Sequence, residues 1–107
     1  MQNLTPPALA DWLADESRPA PLLLDVREPW EISTASIAGC VSIPMREIPE
    51  RSEELDDETP IVCICHHGAR SANVAMFLES RGFKQMFNLQ GGIDAWSRQV
   101  DTSVPTY

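Results

Sequence analysis

Positive charge is scarce in this chain. Eight lysines and arginines face sixteen aspartates and glutamates, a formal net charge of −8 over 107 residues. That balance argues against nucleic acid and anionic membrane surfaces as partners, and any anion site must be built locally, against the overall field. Long apolar runs are missing too. Leu22-Leu23-Leu24 has only strand length, whereas a membrane span needs about 20 apolar residues. No basic start followed by an apolar stretch marks the N-terminus, so a secretory signal is not expected. Cysteine occurs three times, an odd count. Cys63 and Cys65 share one strand face, where the extended backbone holds them too far apart for an easy disulfide. A disulfide framework is therefore not expected, and the reducing cytoplasm is the expected compartment.

What remains fits one domain spanning residues 1–107 around a single core, with 101–107 as an extended C-terminal tail. Thr5-Pro6-Pro7 reads as an N-cap with proline in the first turn, opening a helix to about Asp15 whose apolar face is Ala8, Leu9, Trp12 and Leu13. Leu22 to Val26 reads as a buried strand, Pro29 to Thr34 as a short helix, and Cys40 to Ile43 as a short strand ended by Pro44. Arg46 to Leu55 permits helix but carries Pro49. Ile61 to Cys65 is a further buried strand. A helix is expected over Ser71 to Arg81, with Val74, Phe77 and Leu78 inward and Gly82 as the left-handed cap. Met86 to Leu89 reads as a strand and Ile93 to Gln99 as the last helix. Strands alternating with helices imply an α/β fold whose parallel sheet is covered on both sides.

The run Ile61-Val62-Cys63-Ile64-Cys65-His66-His67-Gly68-Ala69-Arg70-Ser71 carries the chemistry. A buried strand delivers Cys65 to a short loop that is closed by an arginine and followed by a helix. Backbone N–H groups in such a turn converge into an anion-binding nest, and the helix start adds its orphan donors and positive dipole end. A thiol placed there is favoured as thiolate, so Cys65 reads as a nucleophile. Cys63 and Cys40 read as packed side chains. The planar fork of Arg70 suits a sulfonate, phosphate or carboxylate. His66 and His67 are adjacent and lack a further ligand pair, so metal is not expected and they are placed at the entrance. Gly68 allows the backbone to turn its amides inward, and Ser71 caps the helix or donates to a bound anion. Asp25 and Arg27 fall on one strand face and read as a structural pair with each other or with Glu31. Trp12, Trp30 and Trp96 read as core or cover.

Cys65-His66-His67-Gly68-Ala69-Arg70-Ser71 resembles the active-site loop of rhodanese (sulfurtransferase) domains. The likeness extends to Leu24-Asp25-Val26-Arg27-Glu28-Pro29-Trp30-Glu31, to Ile43-Pro44, and to Asn88-Leu89-Gln90-Gly91-Gly92-Ile93-Asp94-Ala95-Trp96. One departure is Ala35-Ser36-Ile37-Ala38-Gly39, where the family often has Gly-His-Ile. The resemblance implies a five-stranded, mainly parallel sheet with helices on both sides and a short first strand near Gln2 to Leu4. It further implies sulfur transfer through a Cys65 persulfide, from a small donor such as thiosulfate to cyanide or a thiol, with His66, His67, Gly68, Ala69, Arg70 and Ser71 lining the site and no cofactor. Two rivals follow from the same likeness. Related phosphatases have five residues between cysteine and arginine, whereas this chain has four, a cradle too narrow for phosphate. The Asp101 to Tyr107 tail is similar to that of rhodanese domains fused to enzymes that activate sulfur carriers, which points to a relay that hands persulfide sulfur to a protein.

Overall fold

In the computed structural model, which describes all 107 residues, five parallel strands form one sheet in the order β1-β5-β4-β2-β3. The strands are β1 (Gln2–Leu4), β2 (Leu22–Asp25), β3 (Val41–Ser42), β4 (Ile61–Ile64) and β5 (Met86–Leu89), and the helices are α1 (Pro6–Ala14), α2 (Pro29–Thr34), α3 (Ile48–Arg51), α4 (Ala69–Ser80) and α5 (Gly92–Gln99). The central strand β4 is apolar at every position because both of its faces are covered. Ile61 and Cys63 pack with Ile48, Val74, Ala75 and Leu78 beneath α3 and α4. Val62 and Ile64 pack on the other side with Leu9, Trp12, Ile93 and Trp96 of α1 and α5.

Strand order also locates the crevice. The chain leaves β2 toward β3 on one side and leaves β4 toward β5 on the other. The loops following β2 and β4 therefore part, and in open α/β sheets ligands bind where they do.

Four sequence expectations are corrected. Helix α4 starts at Ala69, two residues before Ser71, because Gly68 at φ +102° takes the N-cap position. Pro49 does not break its segment: it sits in the first turn of α3, where its missing N–H costs nothing, and 3₁₀ turns flank it at Met45–Glu47 and Ser52–Glu54. Trp30 is exposed, unlike Trp12 and Trp96. The 101–107 segment, read as an extended tail, lacks regular structure and packs back onto the domain. Val104 is buried among the α1 and α5 side chains, Ser97 Oγ donates to the Val104 carbonyl, and the Tyr107 hydroxyl reaches the loop after β2. An apolar residue and a phenol in a polar stretch give a tail something to bury.

Candidate active site

Cys65 follows the last residue of β4 and is almost wholly buried, at 1% exposure. Its sulfur accepts a hydrogen bond from the Gly68 N–H at 3.1 Å, and the Ser71 hydroxyl lies within hydrogen-bond distance of it at 3.2 Å. Ser71 is thus not the helix cap. From the first turn of α4 its side chain points back to the sulfur and also lies 2.5 Å from Asn88 Oδ1. The first-turn amides of α4 have no intrahelical partner, so the helix start faces the sulfur with its positive end.

Asn88 is a functional residue that the sequence reading missed. It is buried on β5, and its Nδ2 donates to the Gly68 carbonyl at 3.1 Å and to Asn3 Oδ1 at 3.2 Å. The signal was available, since an asparagine inside an apolar strand needs partners that a strand alone does not provide.

The loop is clamped from its far side by α5. Ile93 N–H donates to the Cys65 carbonyl at 2.9 Å and Asp94 N–H to the His66 carbonyl at 3.1 Å. Gly92 makes this approach possible: a Cβ there would stand 2.5 Å from the Cys65 oxygen and 2.4 Å from the His66 oxygen.

Across the crevice, the loop after β2 contributes charge. Arg27 is fully buried and all five of its N–H groups are used: Asp25 takes Nε and one Nη2 bond, the Ala35 and Glu31 carbonyls take one each, and Tyr107 Oη takes the last at 2.9 Å. Burial works against its charge, but Asp25 and Tyr107 outweigh that and hold the guanidinium above its ordinary range. The structural reading of Asp25 and Arg27 therefore holds. Arg70, expected to face an anion, forks onto Glu31 with bonds of 2.7 and 2.8 Å. The Tyr107 hydroxyl donates to the same carboxylate at 2.7 Å. The Arg70 fork, opposed by burial and helped by Tyr107 and the Glu28 amide, holds the Glu31 carboxyl down to about 2.

His66 stacks between the rings of Tyr107 and His67, with centroids 3.9 Å away on each side, and its Nε2 is buried without a hydrogen-bond partner. His67 is exposed at the rim. Donor atoms of His66, His67 and Asp94 lie within 4.8 Å of one another, so α5 brings one further group to the two histidines and not the further pair. Arg98 already holds Asp94 at 3.1 Å, which competes with any cation there. The other two cysteines take no part: burial pushes both the Cys63 and Cys40 thiols up to about 12.

A doubly covered parallel sheet that holds a cysteine in a six-residue cradle at its switch point defines the class of this α/β domain. The chain belongs to the rhodanese-like domain family, which matches residues 5–99. It is 45% identical over 78 residues to a putative sulfurtransferase, YtwF, of Bacillus subtilis, covering 73% of this chain and 75% of that one. It is 44% identical over 89 residues to the rhodanese-like/PpiC domain-containing protein 12 of Arabidopsis thaliana, covering 79% of this chain but only 30% of that longer protein. Among solved structures, a rhodanese-related protein from Thermoplasma volcanium superposes with a TM-score of 0.84 at 31% identity, over 94% of both chains. Relatives also include proteins named thiosulfate sulfurtransferase and putative sulfur carrier. The family is one of sulfurtransferases and sulfur carriers.

Proposed function

We propose that this protein transfers sulfane sulfur through a persulfide on Cys65, with thiosulfate as a donor in the assay. The Cys65 thiolate attacks the outer sulfur of thiosulfate, the S–S bond breaks, and sulfite leaves with the bonding electron pair. The product is Cys65–S–S⁻. Cyanide, or a cellular thiol, then takes the terminal sulfur and restores the thiolate, which makes the kinetics ping-pong. The single observation that carries this reading is the pair of donors on Cys65 Sγ, the Gly68 amide and the Ser71 hydroxyl. The Gly68 amide already points at the sulfur and the Ser71 hydroxyl can turn its proton there, so both act on a sulfur anion, and the α4 dipole adds to them. The same persulfide serves a relay that passes sulfur to a protein, and a relative named as a putative sulfur carrier supports keeping that role in view. The test is intact mass after exposure to thiosulfate. A gain of ~32 Da on wild type, absent in Cys65→Ser and removed by cyanide with release of thiocyanate, is expected. No added mass on wild type refutes the reading.

A further inference from the structure

His66 Nε2 is buried without a hydrogen-bond partner, and the sulfur transfer proposed for Cys65 makes no use of it. Such atoms are rare, because an unpaired buried nitrogen has given up its water for nothing. His67 and Asp94 stand beside that ring, and one donor atom from each of the three residues lies within 4.8 Å of the other two. Much of this arrangement is already fixed. The Tyr107 ring lies 3.9 Å from that of His66 and 5° from parallel, and the Asp94 amide holds the His66 carbonyl at 3.1 Å. The loop and α5 therefore keep His66 and Asp94 in place relative to each other. His67 is the adjustable member: its side chain is 66% exposed, and its ring is tilted 29° from that of His66.

Two imidazoles and a carboxylate select the ion. Nitrogen donors suit zinc and its neighbours, whereas Mg²⁺ and Ca²⁺ take oxygen. Ligands on a tetrahedral Zn²⁺ stand about 3.3 Å apart, from bonds of about 2.0–2.1 Å. The group must therefore draw in, and the exposed His67 ring and the Asp94 carboxylate are the parts that turn. Arg98 competes for Asp94, but it bonds Oδ2 alone at 3.1 Å and is 65% exposed, so the pair holds little energy against a divalent charge. The formal net charge of −8 draws cations as well. We infer that His66, His67 and Asp94 form a Zn²⁺ site at the rim of the crevice, with three protein ligands and a fourth position for water. Bound there, the ion gives the His66 ring a partner and ties the loop to the start of α5. Cys65 is not among its ligands, so the site stands apart from the sulfur chemistry.

The experiment titrates the untagged chain with Zn²⁺ by calorimetry at neutral pH. Wild type is expected to bind one Zn²⁺ per chain and to give no heat with Mg²⁺. His66→Ala, His67→Ala and Asp94→Asn should each weaken binding ~10-fold or more, since losing a ligand costs no less than losing one of its outer supports. Arg98→Ala should instead tighten binding about 2- to 5-fold, because it removes the competitor for Asp94. Cys65→Ser should bind as wild type does, and Co²⁺ used in place of Zn²⁺ should show no thiolate charge-transfer band. If His66→Ala fails to fold, the exposed His67 and the Asp94 variant decide the matter. No Zn²⁺ binding by wild type, unchanged affinity in either His67→Ala or Asp94→Asn, or binding that disappears in Cys65→Ser overturns the inference. None of these readouts needs sulfur on Cys65, so a failed zinc site leaves the sulfur transfer standing.

Discussion

The Ser71 hydroxyl sits 2.5 Å from Asn88 Oδ1, and the same oxygen is 3.2 Å from the Cys65 sulfur. Asn88 spends its amide hydrogens on Gly68 and Asn3, so its oxygen can only accept from Ser71. While Cys65 is a thiol, Ser71 donates to Asn88 and accepts from sulfur. When sulfur becomes an anion, the hydroxyl proton can turn toward it. Ser71→Ala should therefore slow sulfur loading by about 1.5–3 kcal/mol, roughly 10- to 150-fold, as expected for a bond to a charged group. Asn88→Ala should also cost about 1–3 kcal/mol of folding stability, because the Gly68 carbonyl loses a buried partner. Loading kinetics and urea denaturation check the two effects, and a Ser71→Ala rate within twofold of wild type would leave the hydroxyl without a part in the chemistry.

Turnover should depend on Cys65 alone. Cys63 is enclosed among Val74, Ala75 and Leu78, and burial keeps it and Cys40 as thiols. Cys65→Ser should abolish thiocyanate formation from thiosulfate and cyanide, while Cys63→Ala and Cys40→Ala keep most of it. Measurable turnover by Cys65→Ser would overturn the assignment.

Sulfur rather than phosphate should be the transferred group. Gly68 and Ser71 both close onto a single sulfur, and Arg70 is committed to Glu31. Wild type should not hydrolyse an aryl phosphate above background while it turns over thiosulfate in the same buffer. Phosphatase activity without sulfur transfer would give Cys65 a different chemistry.

Acid should act on the Glu31 contacts. The folded carboxyl lies near 2 against an ordinary value of 4.5, so its contribution is fully present above 4.5 and is lost as pH falls through about 2. It amounts to roughly 2–3 kcal/mol. Over that window wild type should lose more stability than Glu31→Gln, which has nothing to titrate there. Parallel denaturation curves at pH 5, 4, 3 and 2.5 compare them, and equal losses would count against the ion pair.

Tyr107 should fasten the site. Its phenol bridges Arg27 and Glu31 while its ring covers His66. Tyr107→Phe keeps the stack but leaves a buried Arg27 N–H without a partner, so about 1–3 kcal/mol of stability should be lost, and Tyr107→Ala should lose more. Thermal melts of the two variants give the order, and a fully stable Tyr107→Ala would show a tail that carries no weight.

Much of this was legible from local pattern. Cys65 at the end of a four-residue apolar strand, the glycine that turns the loop and the alternation of strands with helices all depend on neighbours in sequence. What stayed hidden depends on strand order. Glu31 and Arg70 are 39 positions apart, and Asp94 approaches His67 only because α5 starts beside the loop. Arg70 looked free because its partner arrives from α2, and Ser71 looked like a cap because nothing local told it apart from Gly68. Tyr107 looked like the end of an extended tail because its partners lie 76 and 80 residues away.

The two α5 amides that hold the Cys65 and His66 carbonyls also bear on how the loop moves. Ile93 is 1% exposed, and its N–H points at the backbone of Cys65 itself. Releasing that carbonyl would mean lifting the start of a helix off the sheet, so the cradle cannot flex as a lid does. The Ile93 amide should thus exchange its hydrogen with solvent only as slowly as the sheet core. Substrates must come to a sulfur whose position is already set, beside the stacked rings of His66, His67 and Tyr107.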